Sequence, residues 1–208
     1  MKKTLILSIF IFISFFLLQS YNIDSIWKVI KSSPDSTKVK SYILLNYELL
    51  LKGDYESVIK NSTEGISIAQ RINSKKDIAN FYNVMAVVYE NKGKYSEALS
   101  NHFASLKIRE ELGDKQGLAR SYYGIGLIYW NKGNYSDALK NYFNSLRISE
   151  ELKDKKGIAF AYQGIASVYS SLQNYSDALN YHTLALDIEK AIGDKYTMAY
   201  SYDNIGTH

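Results

Sequence analysis

The chain has 208 residues, of which 46% are hydrophobic and 22% charged, and this ordinary globular composition excludes intrinsic disorder as the main state. It contains no cysteine, which excludes disulfides, thiolate catalysis and zinc sites with cysteine ligands. Without Lys2 and Lys3 the formal charge of +4 falls to +2, too close to neutral for a nucleic-acid-binding surface.

The first twenty residues predict an export signal. Lys2 and Lys3 precede a 14-residue apolar run, from Leu5 to Leu18, that two serines interrupt. A membrane-spanning helix needs about 20 apolar residues, so the run favours a cleaved signal peptide at 1–20 and an exported, periplasmic or secreted, mature chain. Because Leu18 is bulky for a position near the cleavage site, an uncleaved membrane anchor is the alternative.

Residues 21–38 are predicted to form a short leading helix and a linker. Ile23, Ile26 and Ile30 recur at helical spacing. The sequence Ser-Ser-Pro-Asp at 32–35 then interrupts the pattern, because proline and its polar neighbours are typical of a break between helices.

One short sequence pattern recurs with an offset of 40 residues. Asn-Tyr-Ser-Asp-Ala-Leu occupies residues 134–139 and again 174–179, and Lys-Tyr-Ser-Glu-Ala-Leu occupies residues 94–99. A fixed period of this size predicts a solenoid of stacked structural repeats. The array is predicted to cover residues 39–208, with an incomplete fifth repeat after four repeats that begin near residues 39, 79, 119 and 159.

Each repeat is predicted to contain two antiparallel helices. In the third repeat the apolar spacing changes phase once, at the sequence Asn-Lys-Gly-Asn in residues 131–134. Gly133 there can take the left-handed conformation that ends a helix and lets the chain fold back as a hairpin. The equivalent residue of the fourth repeat is Gln173, where that conformation would cost about 1 to 2 kcal/mol unless Asn174 adopts it instead.

Small residues are predicted to mark the closest approach of the two helices within a repeat. A larger side chain at such a position would push the paired backbones apart. The predicted contacts join Ala86, Gly126, Ala166 and Gly206 in the first helices to Ala98, Ala138 and Ala178 in the second helices.

The pattern Tyr-x-x-Ile-Gly/Ala-x-x-Tyr, a glycine turn and Tyr-x-x-Ala-Leu closely resembles the tetratricopeptide repeat (TPR) in its forty-residue form. The resemblance covers about residues 39–208. It implies an all-α fold, a right-handed solenoid of antiparallel helix pairs that binds a protein or peptide and is not an enzyme. Arrays of this form are similar to those of bacterial TPR regulators and of the sensor regions of histidine kinases.

In this family the first helix of each repeat lines the concave face, which implies a candidate surface for protein or peptide binding. Its positions vary between repeats while the packing positions recur, as expected if they are free for recognition. Trp130, Tyr123 and Phe160 beside Arg120 would anchor a peptide from exposed positions, although an ordinary amphipathic surface is the alternative. This first-helix row consists of Asn80, Asn83, Val87, Glu90, Arg120, Tyr123, Leu127, Trp130, Phe160, Gln163, Ser167 and Ser170.

The remaining polar and aromatic features are interpreted as structural. His102 and His182 share one repeat position and are too far apart in sequence for a single metal site. The glutamate pairs at 110–111 and 150–151, beside Arg109 and Arg147, are interpreted as a solvated outer face. No phosphate-binding, metalloprotease or serine-hydrolase motif occurs, so the sequence predicts no catalytic residue, no metal site and no cofactor.

Three functional hypotheses remain open at this stage. The first is an exported scaffold whose partner is a protein or peptide, with no nucleic acid and with membrane contact only if the N-terminal segment is uncleaved. Because the fifth repeat stops at Thr207 and His208 before its second helix, the first alternative is the N-terminal sensor region of a truncated membrane signalling protein such as a histidine kinase. The second alternative is a cytoplasmic peptide-responsive regulator.

Overall fold

The computed structural model describes residues 23–206, and this part of the chain is all-α, without a β-strand. The predicted signal peptide lies outside the described residues. The helices are α1 (Ile23–Ser32), α2 (Asp35–Lys52), α3 (Tyr55–Arg71), α4 (Lys75–Asn91), α5 (Tyr95–Leu112), α6 (Lys115–Asn131), α7 (Tyr135–Glu151), α8 (Lys155–Ser171), α9 (Tyr175–Ile192) and α10 (Lys195–Gly206).

Helices begin every 20 residues from Asp35 to Lys195, so each repeat starts four residues before the position expected from the sequence. The difference lies in the polar first turn of each helix. The Asp114 carboxylate accepts a hydrogen bond from the Gly117 backbone N–H at 3.0 Å, and Asp154 caps the start of α8 in the same way. Apolar spacing alone therefore detects each helix only from its second turn onward.

The leading helix α1 packs against α2. Ile26 and Ile30 are buried, and the Trp27 ring meets the Tyr42 ring edge-on with 6.1 Å between centroids. Between the two helices stands Pro34, at the N-cap of α2 with φ −66°. Proline is well placed there, because it lacks the backbone N–H that a continuous helix would need.

The chain divides into two compact units. The first unit ends at Ile108, and the second begins at Arg109. In the first unit, helices α1 to α4 pack in series around a buried apolar core that includes Leu45 and Phe81. The Asn46 side chain of α2 donates a buried hydrogen bond of 2.9 Å to the Ser62 hydroxyl of α3. Each helix of this unit therefore buries one face against the next helix in the chain.

The second unit repeats this arrangement, with α6 to α10 packed in series. At its closest helix approach, a Cβ atom on Gly126 would lie 2.8 Å from the Tyr142 ring, and one on Gly164 would lie 2.7 Å from the same ring. Tyr142 is 1% exposed. The side chain that faces Gly126 most closely is thus Tyr142 and not Ala138, the contact expected from the sequence.

In both of the turns that the sequence analysis singled out, one residue adopts the left-handed conformation. Gly133 has φ +73°, which confirms the predicted turn. Gln173 itself adopts φ +59°, while Asn174 has φ −86° and caps α9, so the alternative in which Asn174 takes the left-handed conformation is wrong. The structure adds Lys153, at φ +54° in a turn between repeats where no such strain was expected.

Within each of the two units, helix pairs stacked in series and joined by short turns give the all-α solenoid packing expected from the sequence. Within residues 23–206, no helix has both the length and the apolar composition needed to cross a membrane.

Candidate functional site

The first-helix row places four residues on each of α4, α6 and α8. Along each helix the four positions are separated by three or four residues, so they share one face. The α4 residues belong to the first unit, and the α6 and α8 residues belong to the second.

The row is less exposed than the sequence analysis expected. Val87, Glu90, Phe160 and Gln163 are buried. The remaining eight residues are half-buried. The expectation that these side chains are exposed in the free protein is therefore wrong for the buried four, because neighbouring side chains already cover them.

The aromatic residues of α6 and α8 pack on one another. The Tyr123 ring lies 5.4 Å from the ring of Tyr142 and 6.1 Å from the ring of Phe160, measured between centroids. The indole N–H of Trp130 donates a hydrogen bond of 2.9 Å to the Ser171 hydroxyl. Tyr142 and Phe160 are buried, so the half-buried Tyr123 and Trp130 of α6 form a preorganised aromatic wall, and only part of each of these two rings is left for a partner.

Gln163 serves the fold of the second unit. Its side-chain amide donates to Glu189 Oε1 at 2.6 Å and to Ser201 Oγ at 3.3 Å, which ties α8 to α9 and α10. Glu189 is 1% exposed, and this burial raises the pKa of its carboxyl, an effect that the hydrogen bonds from Ser201 and Gln163 oppose. Because its amide is committed inside the protein, Gln163 is not free to contact a partner.

Glu90 differs from Gln163 in having no partner in the described part of the chain. The side chain is 7% exposed, and its Oε1 atom is buried without a hydrogen bond. Burial raises the pKa of the Glu90 carboxyl to about 8. A buried carboxyl without a donor is costly, so Glu90 is the chemically unusual member of the row.

The expectation that Arg109 lies on a solvated outer face is wrong. It is only 3% exposed, and its guanidinium lies 3.9 Å from the Asp114 carboxylate. The equivalent residues Ser149 and Glu189 are also buried. A sequence signal existed, because the same position of the first repeat holds the apolar Ala69.

The second glutamate pair is solvated as expected. Glu150 and Glu151 are exposed, and the Glu151 carboxylate lies 2.8 Å from Arg147 and 3.0 Å from Lys115. The hydrogen bond and charge of Lys115 hold the pKa of Glu151 below its usual value. Such exposed ion pairs are typical of a solvated helix face.

The two histidines are interior residues. His102 is 2% exposed and His182 is 1% exposed, at the repeat position that Tyr142 occupies in the intervening repeat. In the part of the chain that the structure describes, no group of three or more His, Cys, Asp or Glu side chains could hold a metal ion.

Comparisons with known proteins agree with this architecture. A family model described as tetratricopeptide repeat matches residues 77–150 and 123–191, which together exceed half of the chain. A search of curated protein sequences finds no match.

Among solved structures, BtubC (BKLC) from P. vanneervenii superposes with a TM-score of 0.75 at 18% identity, covering 89% of this chain and 78% of its own. A signal transduction ATPase with numerous domains and a tetratricopeptide repeat sensor, from Pyrococcus horikoshii, gives 0.76 at 19% identity, covering 88% of this chain. Aspartyl phosphate phosphatase F from Bacillus subtilis gives 0.78 at 16% identity, covering 85%. The chain spans only 28% and 46% of the last two proteins.

Proposed function

Because the chain belongs to the tetratricopeptide repeat family, a family of protein-interaction scaffolds, we propose that it is an exported scaffold that binds a protein or peptide through its first-helix row. The observation that carries the proposal is the contrast between neighbouring positions on the first helices. Tyr89, Tyr129 and Tyr169 are identical in three successive repeats, whereas the next residue is glutamate, tryptophan and serine. Geometry fixes the first set, and the second is free to vary with a partner.

The half-buried aromatic wall of α6 supports a peptide ligand. Aromatic side chains held in place by their neighbours lose little conformational entropy on binding, and they supply much of the energy of typical interfaces. Trp130 is fixed by its hydrogen bond to Ser171, and Leu127 lies one turn before it on the same face of α6. Together they offer an apolar surface suited to one or two anchor side chains of a peptide.

The test is selection of short random peptides on the purified array, followed by calorimetric titration against variants. Replacing both Trp130 and Leu127 with alanine should weaken binding by at least about 2 kcal/mol, because both anchoring surfaces are lost. Tyr123 is left intact, since its packing on Tyr142 would confound the result. Leu184→Ala, a change at an exposed apolar residue outside the row, is the matched control.

Equal binding by the parent and the Trp130/Leu127 double variant would refute the use of this row. Urea unfolding of each variant establishes that the array is still folded in every titration. Retained folding with lost binding supports the proposal.

Export is the second part of the proposal, and the charged and apolar character of residues 1–20 supports it. We expect the mature chain to begin within a few residues of Tyr21. Intact-mass measurement of the native product together with cell fractionation tests this expectation. Retention of Met1 in a chain recovered from the cytosol would favour the cytoplasmic regulator instead.

A sensor region within a larger signalling protein is the second candidate function. Tyr175 and Leu179 of α9 are exposed, whereas their equivalents Tyr135 and Leu139 of α7 are partly buried against the core of the second unit. A further packed helix would cover the α9 pair. Sequencing the gene beyond the codon for His208 tests this candidate: an in-frame continuation into repeats and an apolar stretch of about 20 residues would favour it, and a stop codon would contradict it.

A further inference from the structure

Glu90 is the buried polar member of the first-helix row for which the described residues supply no partner. Trp130, Gln163 and Ser167 each donate a hydrogen bond within the chain. Asn83 is half-buried. The Glu90 side chain is 7% exposed, with Oε1 removed from solvent and without a hydrogen bond.

The basic residues nearest to Glu90 along the chain are paired with other carboxylates. Lys92 Nζ bonds to Glu56, a residue of α3. Lys94 Nζ lies 3.9 Å from the Glu97 carboxylate, in the first turn of α5. Native proteins rarely leave a buried carboxyl without a donor, because the desolvated charge is costly unless it is paired. A donor from outside the chain would meet this requirement.

We propose that Glu90 receives a basic side chain, a lysine ammonium or an arginine guanidinium, from a peptide bound along the α4 part of the first-helix row. This inference rests on the proposed function and names one chemical feature of its ligand. A cation beside the carboxyl would restore the ionised form and form a charge-assisted hydrogen bond in a desolvated place.

The neighbours of Glu90 on α4 fit a basic side chain in particular. Val87 lies three residues before Glu90 and Asn83 lies seven residues before it, so all three residues lie on one helix face. Val87 is buried and apolar, so it supplies no hydrogen bond that would compete for the carboxyl, while the amide oxygen of the half-buried Asn83 can accept from the peptide backbone. A bare divalent cation fits poorly, because one carboxylate supplies too few oxygen ligands.

The test is a double-mutant cycle between the array and its selected peptides. Each lysine or arginine of a selected peptide is replaced in turn by norleucine, which keeps the apolar stem and removes the charge. Both peptide forms are then titrated against the parent and against Glu90→Gln, a substitution that keeps the shape of the side chain. Glu110→Gln, at an exposed carboxylate on α5, makes the same change in charge and is the matched control.

We expect one basic residue whose replacement weakens binding to the parent by about 30-fold or more. The same replacement should weaken binding to Glu90→Gln by no more than about twofold, because the two groups interact directly. Acetylating the peptide N-terminus separates a side-chain cation from a terminal amine. If acetylation of the peptide N-terminus weakens binding and no norleucine substitution does, the assignment of a side-chain cation is overturned.

Equal losses in the parent and in Glu90→Gln would overturn the inference, as would selected peptides that contain no basic residue. The proposed function fails in a different way, through a Trp130/Leu127 double variant that binds like the parent. If no peptide at all is selected, both the inference about Glu90 and the proposed function are contradicted. Glu90→Gln removes a buried ionisable group without changing its volume, so the variant is expected to fold.

Discussion

The contact between Gly126 and Tyr142 gives a quantitative test of the helix packing. In Gly126→Ala the added Cβ would lie 2.8 Å from the Tyr142 ring, well inside the roughly 3.5 Å at which carbon atoms make ordinary contact. The ring cannot retreat freely, because a Cβ position on Gly164 is 2.7 Å from the same ring. Overpacking of this kind costs about 1 to 3 kcal/mol, and the better helix propensity of alanine returns about 1 kcal/mol.

The chain itself contains the compensating pair. Where the second helix carries His102 or His182 in place of Tyr142, the equivalent of Gly126 is Ala86 or Ala166. We therefore expect Gly126→Ala to destabilise the parent by up to about 2 kcal/mol, and to be neutral or slightly stabilising in a Tyr142→His background. The resulting coupling energy is about 2 kcal/mol.

The assay is urea unfolding of the four proteins of this cycle. The chain has two tryptophans, so a Trp27→Phe background assigns the fluorescence to Trp130 in the second unit. This restriction matters, because a chain of two units need not unfold in a single step. Additive effects of the two substitutions would refute the size complementarity.

Three further predictions concern the turns, the helix approach and the buried carboxyl. Gln173→Gly should stabilise the protein by about 1 kcal/mol by relieving the left-handed strain at φ +59°, and a lower unfolding midpoint in urea would contradict it. Gly126→Leu should cost several kcal/mol and Asn131→Ala little, so the reverse order in thermal unfolding would refute the packing register. Because burial raises the pKa of Glu90 from 4.5 to about 8, the folded chain loses stability as the pH rises through this range. As the pH rises from about 5 to about 9, the melting temperature of Glu90→Gln should therefore rise relative to that of the parent. A difference in melting temperature that does not change with pH would contradict this prediction.

The periodic part of the fold could be read from the sequence because it depends on local signals. Glycine at a helix end specifies a left-handed residue without reference to any distant neighbour, as Gly133 shows. Lys153 carries no such signal, yet it adopts the same conformation because the helices on either side fix the turn. Where the stacked helices already determine the backbone, the residue in the turn accepts the strain.

The row of candidate binding residues could be placed on its helices, but its exposure could not. Burial of Gln163 depends on Glu189 and Ser201, which lie 26 and 38 residues further along the chain. Tyr123 is half-buried through Tyr142 and Phe160, which lie on other helices. Helical periodicity identifies the face of a residue, and only the packing of the next helices decides how much of that face remains accessible.

Variation between repeats is therefore an incomplete guide to recognition. Arg109, Ser149 and Glu189 differ although they occupy one buried position. The Arg109 side chain fills the space beside Gly117, and the Ser149 hydroxyl would lie 2.5 Å from a Cβ on Gly157. A buried position can therefore vary between repeats without contacting an external partner.

A variable position points to an external partner only when its chemistry is left incomplete inside the protein. Gln163 varies and is satisfied by Glu189, so its identity is explained by the fold. Glu90 varies, is buried and has no donor among the described residues, so the fold leaves its identity unexplained. Because an unsatisfied buried carboxyl costs stability in the free protein, a compensating gain is expected in the bound state. We therefore expect the chemistry of a ligand to be specified by the unpaired buried carboxyl of Glu90 more than by the exposed residues of the array.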